Sequence, residues 1–140
     1  MIKELETYIL EGRYDNAKEL CERTPKEELR DIIINIAYDT ENISIFSFAL
    51  YMVQYNDKLY WLTLAIDLLI NPLCFVEGAY SVALFCTREL LKIDKTAENL
   101  EKIVFFYNIP EKLITKDEAL MTVEEILKID PNNKVALEFK

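Results

Sequence analysis

Gly12-Arg13-Tyr14-Asp15-Asn16-Ala17 and Gly78-Ala79-Tyr80-Ser81-Val82-Ala83 share the pattern G-x-Y-x-x-A, 66 residues apart. Glycine at its head permits a tight turn, and the small alanine five places on permits one helix to approach another closely. Before Gly12, Ile2, Leu5 and Ile9 recur at helical spacing; after it, Tyr14, Ala17 and Cys21 resume the pattern. The first copy therefore reads as two short helices joined by a turn, a helical hairpin. Sixty-six residues is close to two helical-hairpin periods, so the chain is expected to stack such pairs.

The rest of the chain punctuates itself as helices. Thr24-Pro25-Lys26-Glu27 predicts a start with Thr24 as N-cap and proline at the first helical position, running through Leu29, Ile32, Ile33 and Ile36 toward Tyr38. A fourth helix, near 42–55, is apolar on almost every face and so is expected to be surrounded. Asp57 caps a fifth, ended near Asn71-Pro72 because the residue before proline disfavours helical geometry. A sixth fits Phe75 or Glu77 to Ile93 and a seventh opens at Thr96. Thr115-Lys116-Asp117-Glu118 opens an eighth that stops before Asp130-Pro131, and Asn132 or Asn133 starts a short last one. The expectation is one all-α domain over residues 1–140: about nine short helices in stacked antiparallel pairs, with 42–56 and 57–71 in the middle. An ordinary helical bundle, in which Gly and Tyr merely end and pack helices, satisfies the same pattern.

Composition agrees. The chain is 51% hydrophobic with two glycines and four prolines, which excludes a disordered tail and leaves little for the tight turns of a many-stranded sheet. Twenty-five acidic against 16 basic residues give a net charge of -9, with no lysine or arginine cluster to attract phosphate, so nucleic acid is not an expected ligand. The acidity is read first as serving solubility, with a match to a basic partner as the alternative. Three cysteines in apolar helical contexts, with no C-x-x-C, read as reduced core residues of an intracellular protein. Acidic residues near the start replace the positive patch of a signal peptide, and the longest uncharged stretch, Asn42 to Asn56, is too short and too polar to span a bilayer. A cytoplasmic protein is expected, without a membrane partner.

Chemistry is sparse. There is no histidine, the commonest general base and metal ligand, and two glycines build no phosphate cradle. No catalytic residue, cofactor or metal is therefore expected. Glu27-Glu28 and Glu124-Glu125 are adjacent pairs whose side chains diverge by about 100° on a helix. Asp67, inside an apolar helix, reads as a polar-face residue or a partner of Arg88 or Lys92; the alternative makes it the acid of a small acid–base enzyme working with a tyrosine. The aromatic cluster Tyr38, Phe48, Tyr51, Tyr55, Tyr60 and Trp61 is dense. Periodicity places Tyr51, Tyr55 and Trp61 equally well in a core or at an interface; with Tyr38, Asp39, Glu41 and Asp57 they form the candidate partner-binding set.

Tyr8-x-x-x-Gly12-x-Tyr14-x-x-Ala17 resembles the middle of a tetratricopeptide repeat. Ala83 with Asp94 continues the likeness, and Ala119 with Asp130-Pro131-Asn132, 36 residues beyond Ala83, is similar to the end of a further unit. The region around Ala49 lacks the Gly-x-Tyr element, and Lys95 stands where the repeat carries a proline. The segments Asn71-Pro72-Leu73-Cys74, Glu77-Gly78-Ala79-Tyr80 and Ile109-Pro110-Glu111-Lys112-Leu113-Ile114, with the ending from Ile129 to Lys134, also resemble small bacterial immunity proteins that neutralise toxins. Together these resemblances imply a non-catalytic binding module: an immunity protein covering a basic toxin domain, or an adaptor gripping a helix or peptide.

Overall fold

A computed structural model describes residues 1–139 of the 140. Among the described residues there are nine α-helices and no strands: α1 (Ile2–Leu10), α2 (Tyr14–Glu22), α3 (Lys26–Thr40), α4 (Ser44–Val53), α5 (Lys58–Ile70), α6 (Ala79–Ile93), α7 (Ala97–Asn108), α8 (Lys116–Ile129) and α9 (Lys134–Phe139). They group into two compact units, Met1–Ala79 and Tyr80–Lys140.

In the first unit α1 and α2 form the hairpin expected around Gly12. Gly12 has φ +75°, a region costly to any residue with a Cβ. Its N–H bonds to the Ile9 carbonyl at 3.1 Å, and that of Arg13 reaches back to Tyr8 at 2.8 Å. This Schellman closure satisfies the last carbonyls of α1. Thr24 departs from expectation. Its hydroxyl donates to the Leu20 carbonyl at 2.8 Å, closing α2, and Pro25 takes the cap position of α3 without a side-chain bond. The reason is steric: the residue before a proline is pushed out of helical geometry, so helix begins only after Pro25, whose carbonyl accepts from Leu29 at 3.0 Å.

The fourth helix is also shorter than its apolar run. The Asn42 side-chain oxygen accepts the Ser44 N–H at 2.8 Å, holding residues 41–43 in a turn. It buries Ile45, Phe46, Phe48, Ala49 and Met52 but leaves Leu50 exposed. Asp57 caps α5 as expected, accepting from the Tyr60 N–H at 3.2 Å. Seven of the thirteen α5 residues are buried, from Trp61 to Leu69. Each large apolar side chain there stabilises the fold by about 1.5–3 kcal/mol. In the second unit α6 begins later than Phe75 or Glu77, because Gly78 at φ +84° breaks the helical path just before Ala79. Thr96, Thr115 and Asn133 cap the three helices that follow, each accepting a backbone N–H at 2.9–3.1 Å. Leu100, Val104, Val123, Ile126 and Ala136 form this unit's core.

Lateral contacts reveal the arrangement. Tyr14 meets Phe48, Asp15 meets Tyr51 and Lys18 meets Tyr55, so partners on α2 and α4 advance together and the two helices run parallel. By the same test α3 is parallel to α5 (Lys26 to Asp57, Arg30 to Asp67), α6 to α8 (Arg88 to Glu118, Lys95 to Glu125) and α7 to α9 (Glu101 to Asn133, Tyr107 to Phe139). Hydrogen-bonded partners between such helices lie 30 to 37 positions apart. Each unit is therefore a stack of helix pairs. Ala17, Ala49, Ala83 and Ala119, spaced by 32, 34 and 36 residues, sit on α2, α4, α6 and α8 and are all fully buried. Ala49 keeps its place without a Gly-x-Tyr element because Glu41 itself turns the chain, in the left-handed region at φ +53°.

Candidate functional site

The seven candidate residues do not assemble as one patch. Trp61 is core: only 1% exposed, it stands edge-on to Phe48 at 5.7 Å and to Tyr60 at 5.3 Å between ring centroids. Because α5 is covered over most of its circumference, the fourth residue after its Asp57 cap turns inward. Tyr38, Asp39 and Glu41 are exposed, and lie at the end of α3, beside the start of α4. Tyr51 lies toward the other end of α4, about 10 Å along its axis from Ser44 at 1.5 Å rise per residue, and Tyr55 follows just beyond that end. Asp57 is tied down. Lys26 Nζ stands 2.7 Å from its carboxylate, and this ammonium with the Tyr60 N–H holds the carboxyl below its usual pKa.

What does assemble is a face of α2 against α4. The Tyr14 hydroxyl lies 3.0 Å from the Ser44 carbonyl and 2.8 Å from the Ser44 hydroxyl, which itself donates to the Ile9 carbonyl at 2.6 Å. These bonds fix the helix starts. From there the rings follow one another outward: Tyr14 to Phe48 at 5.4 Å, Tyr14 to Tyr51 at 5.5 Å, Tyr51 to Tyr55 at 4.9 Å. Phe48 is buried, Tyr51 half-buried and Tyr55 57% exposed. The Tyr51 hydroxyl donates to Asp15, which holds the phenolic proton and pushes the Tyr51 pKa up to about 12. Lys18 Nζ sits 5.6 Å from the centre of the Tyr55 ring and 3.2 Å from Glu22. Asp15, Glu19 and Glu22, at i, i+4 and i+7 on α2, are all exposed. The face is thus a graded aromatic surface bordered by carboxylates and already holding one ammonium over a ring, an arrangement that binds cations.

Tyr14, Asp15 and Lys18 lie outside the sequence-predicted set. Their signal was present in the Gly12–Ala17 pattern, which speaks of packing and hides the pairing with α4. Asp67 is half-buried and ion-paired at 2.8 Å with Arg30 on α3, not with Arg88 or Lys92. Charge is uneven along the chain: residues 1–79 carry fourteen acidic against seven basic side chains, and 80–140 eleven against nine. In the second unit a groove of about 360 Å³ between α6 and α8 has Leu100 and Ile103 among its lining, and its charged walls neutralise each other through Arg88–Glu118 and Lys95–Glu125. Among the described residues no group of three or more acidic or cysteine side chains is placed to hold a metal ion, and no helix is long and apolar enough to cross a membrane. No family model, no curated protein and no solved structure matches the chain.

Proposed function

We propose that this chain is a non-catalytic protein-binding module that takes a basic partner across the α2–α4 face. The observation that carries this reading is the exposed Tyr55 ring, packed at a tilt against Tyr51 and bordered by the exposed carboxylates Asp15, Glu19 and Glu22 of α2. Tyrosine contributes large contact area at low conformational cost, and a surplus of seven negative charges in residues 1–79 speeds encounter with a basic surface. Lys18 over Tyr55 is the kind of group such a face receives. The resemblance to bacterial immunity proteins makes a basic toxin domain the partner to test first, with the cytoplasm as the place of action. Co-expression with a toxin domain encoded beside this gene is the test: rescue of growth together with co-purification supports the reading, and failure of both removes it. A second reading, an adaptor holding a peptide, draws on the groove between α6 and α8, and then peptide binding is lost on altering Arg88 rather than Tyr55.

A further inference from the structure

Lys18 is the one cation of α2, and α4 carries no charge, so the two helices set the carboxylates Asp15, Glu19 and Glu22 against this single ammonium. Its Nζ lies 5.6 Å from the centre of the Tyr55 ring and 3.2 Å from Glu22. Lys26 makes the same kind of double contact, 5.4 Å from the centre of the Tyr60 ring and 2.7 Å from Asp57. The two lysines differ in what they hold together. Lys26 joins α3 to the cap of α5, and the Tyr60 hydroxyl donates to the Lys26 carbonyl at 3.0 Å. The carboxylate that pairs with Lys18 stands one turn along the same helix, in the lysine-before-glutamate order that stabilises a helix less than its reverse. That ion pair ties no second helix, so it can open without parting α2 from α4.

We infer that Lys18 is an autoinhibitory contact: from within the chain it fills the cation site that Tyr55 and Glu22 make on the α2–α4 face, and a basic partner binds by displacing it. This rests on the proposed partner class. A tethered ammonium meets the ring at a high local concentration, so a single stray cation gains little by exchange. A partner that brings several cations to Asp15, Glu19 and Glu22 at once gains from each of them. Its gain exceeds the exposed ring contact and the i,i+4 pair that Lys18 gives up, both of which are weak. The displaced ammonium is strongly hydrated and sits on a flexible stem, so it returns to water. Lys18 thus sets how many cations a partner must bring before the face accepts it.

The full chain is titrated calorimetrically with acetylated hexalysine amide at constant ionic strength, and the Tyr55 ring signals are followed by NMR. Lys18→Met keeps the apolar stem and removes the charge; Lys3→Met, on α1, removes the same charge from another helix. Hexalysine should bind the Lys18→Met chain about fivefold tighter than the unaltered one, the scale of one ring contact and one ion pair, with the Tyr55 signals shifted at saturation. Lys3→Met should change the affinity by less than about twofold. In a Tyr55→Leu chain the gain from Lys18→Met should fall to that of Lys3→Met. Lys18→Met should melt with the unaltered chain, and Lys26→Met below it. No gain from Lys18→Met, an equal gain from Lys3→Met, or a gain that survives Tyr55→Leu overturns the inference; so does a Lys18→Met chain that melts as low as Lys26→Met, which makes the contact structural. The two readings fail separately: hexalysine binding that answers to Lys18 with no basic domain bound across α2 and α4 removes the partner, whereas a bound basic domain whose affinity falls on Tyr55→Ala and ignores Lys18→Met removes the autoinhibition.

Discussion

Residues 1–79 and 80–140 reach the same helix-pair register by opposite means. In the first unit the parallel helices α2 and α4 meet through rings, Tyr14 on Phe48 and Tyr51, while α3 and α5 meet through the ion pairs Lys26–Asp57 and Arg30–Asp67. In the second the assignment is reversed: α6 and α8 meet through Arg88–Glu118 and Lys95–Glu125, and α7 and α9 through Tyr107 on Phe139. If one kind of contact set the register, the units would differ in offset, yet both keep partners 30 to 37 positions apart. What they share is the fully buried alanine on alternate helices. Register follows from how closely backbones approach, and the lateral contacts are free to serve other ends. In the first unit that freedom leaves tyrosines on the surface; in the second it leaves charges that cancel.

Trp61→Ala should have the largest effect, destabilising the chain by about 3–5 kcal/mol in denaturant titration, because the first unit stacks around this ring. A loss below about 1 kcal/mol would restore Trp61 to the surface. Next come Ala49→Leu and Ala83→Leu. If buried alanines set the register in both units, each costs about 1–3 kcal/mol by overpacking, and a neutral result in one unit alone breaks the comparison there. Thr115→Ala should cost about 1 kcal/mol, since the second unit starts its helices with side-chain caps. The smallest effect has the opposite sign. Glu41→Gly should stabilise by up to about 1 kcal/mol in thermal melts, because Glu41 holds a left-handed conformation that glycine adopts freely. Destabilisation would show that the turn at 41–43 depends on the glutamate side chain.

All nine helices were legible because their ends carry local chemistry. Gly12, Thr96, Thr115 and Asn133 each act on backbone groups within five residues, a range that a linear reading covers. Thr24 misleads because a proline at the cap, one place before a helix, and a proline at its first position look alike in sequence. The site was legible only in part. Tyr51 and Tyr55 announced themselves by spacing, but their partners Asp15 and Lys18 lie more than thirty residues away on a helix chosen by tertiary packing. Trp61 could not be assigned because α5 is apolar on nearly every face, and periodicity carries no orientation when the polar face is missing. The sequence offers Asp67 the cations Arg88 and Lys92 of α6, whereas the parallel run of α3 beside α5 brings Arg30 to it.

The central claim is that the α2–α4 face binds a basic protein without being needed for the fold. It is tested most directly by the affinity of a purified cognate toxin domain for the chain carrying Asp15→Asn, Glu19→Gln and Tyr55→Ala, measured calorimetrically alongside a thermal melt. The account predicts a loss of more than about 2 kcal/mol in binding with the fold retained, on the scale of interface hot spots. Unchanged affinity in a folded variant would contradict it and move the binding surface elsewhere.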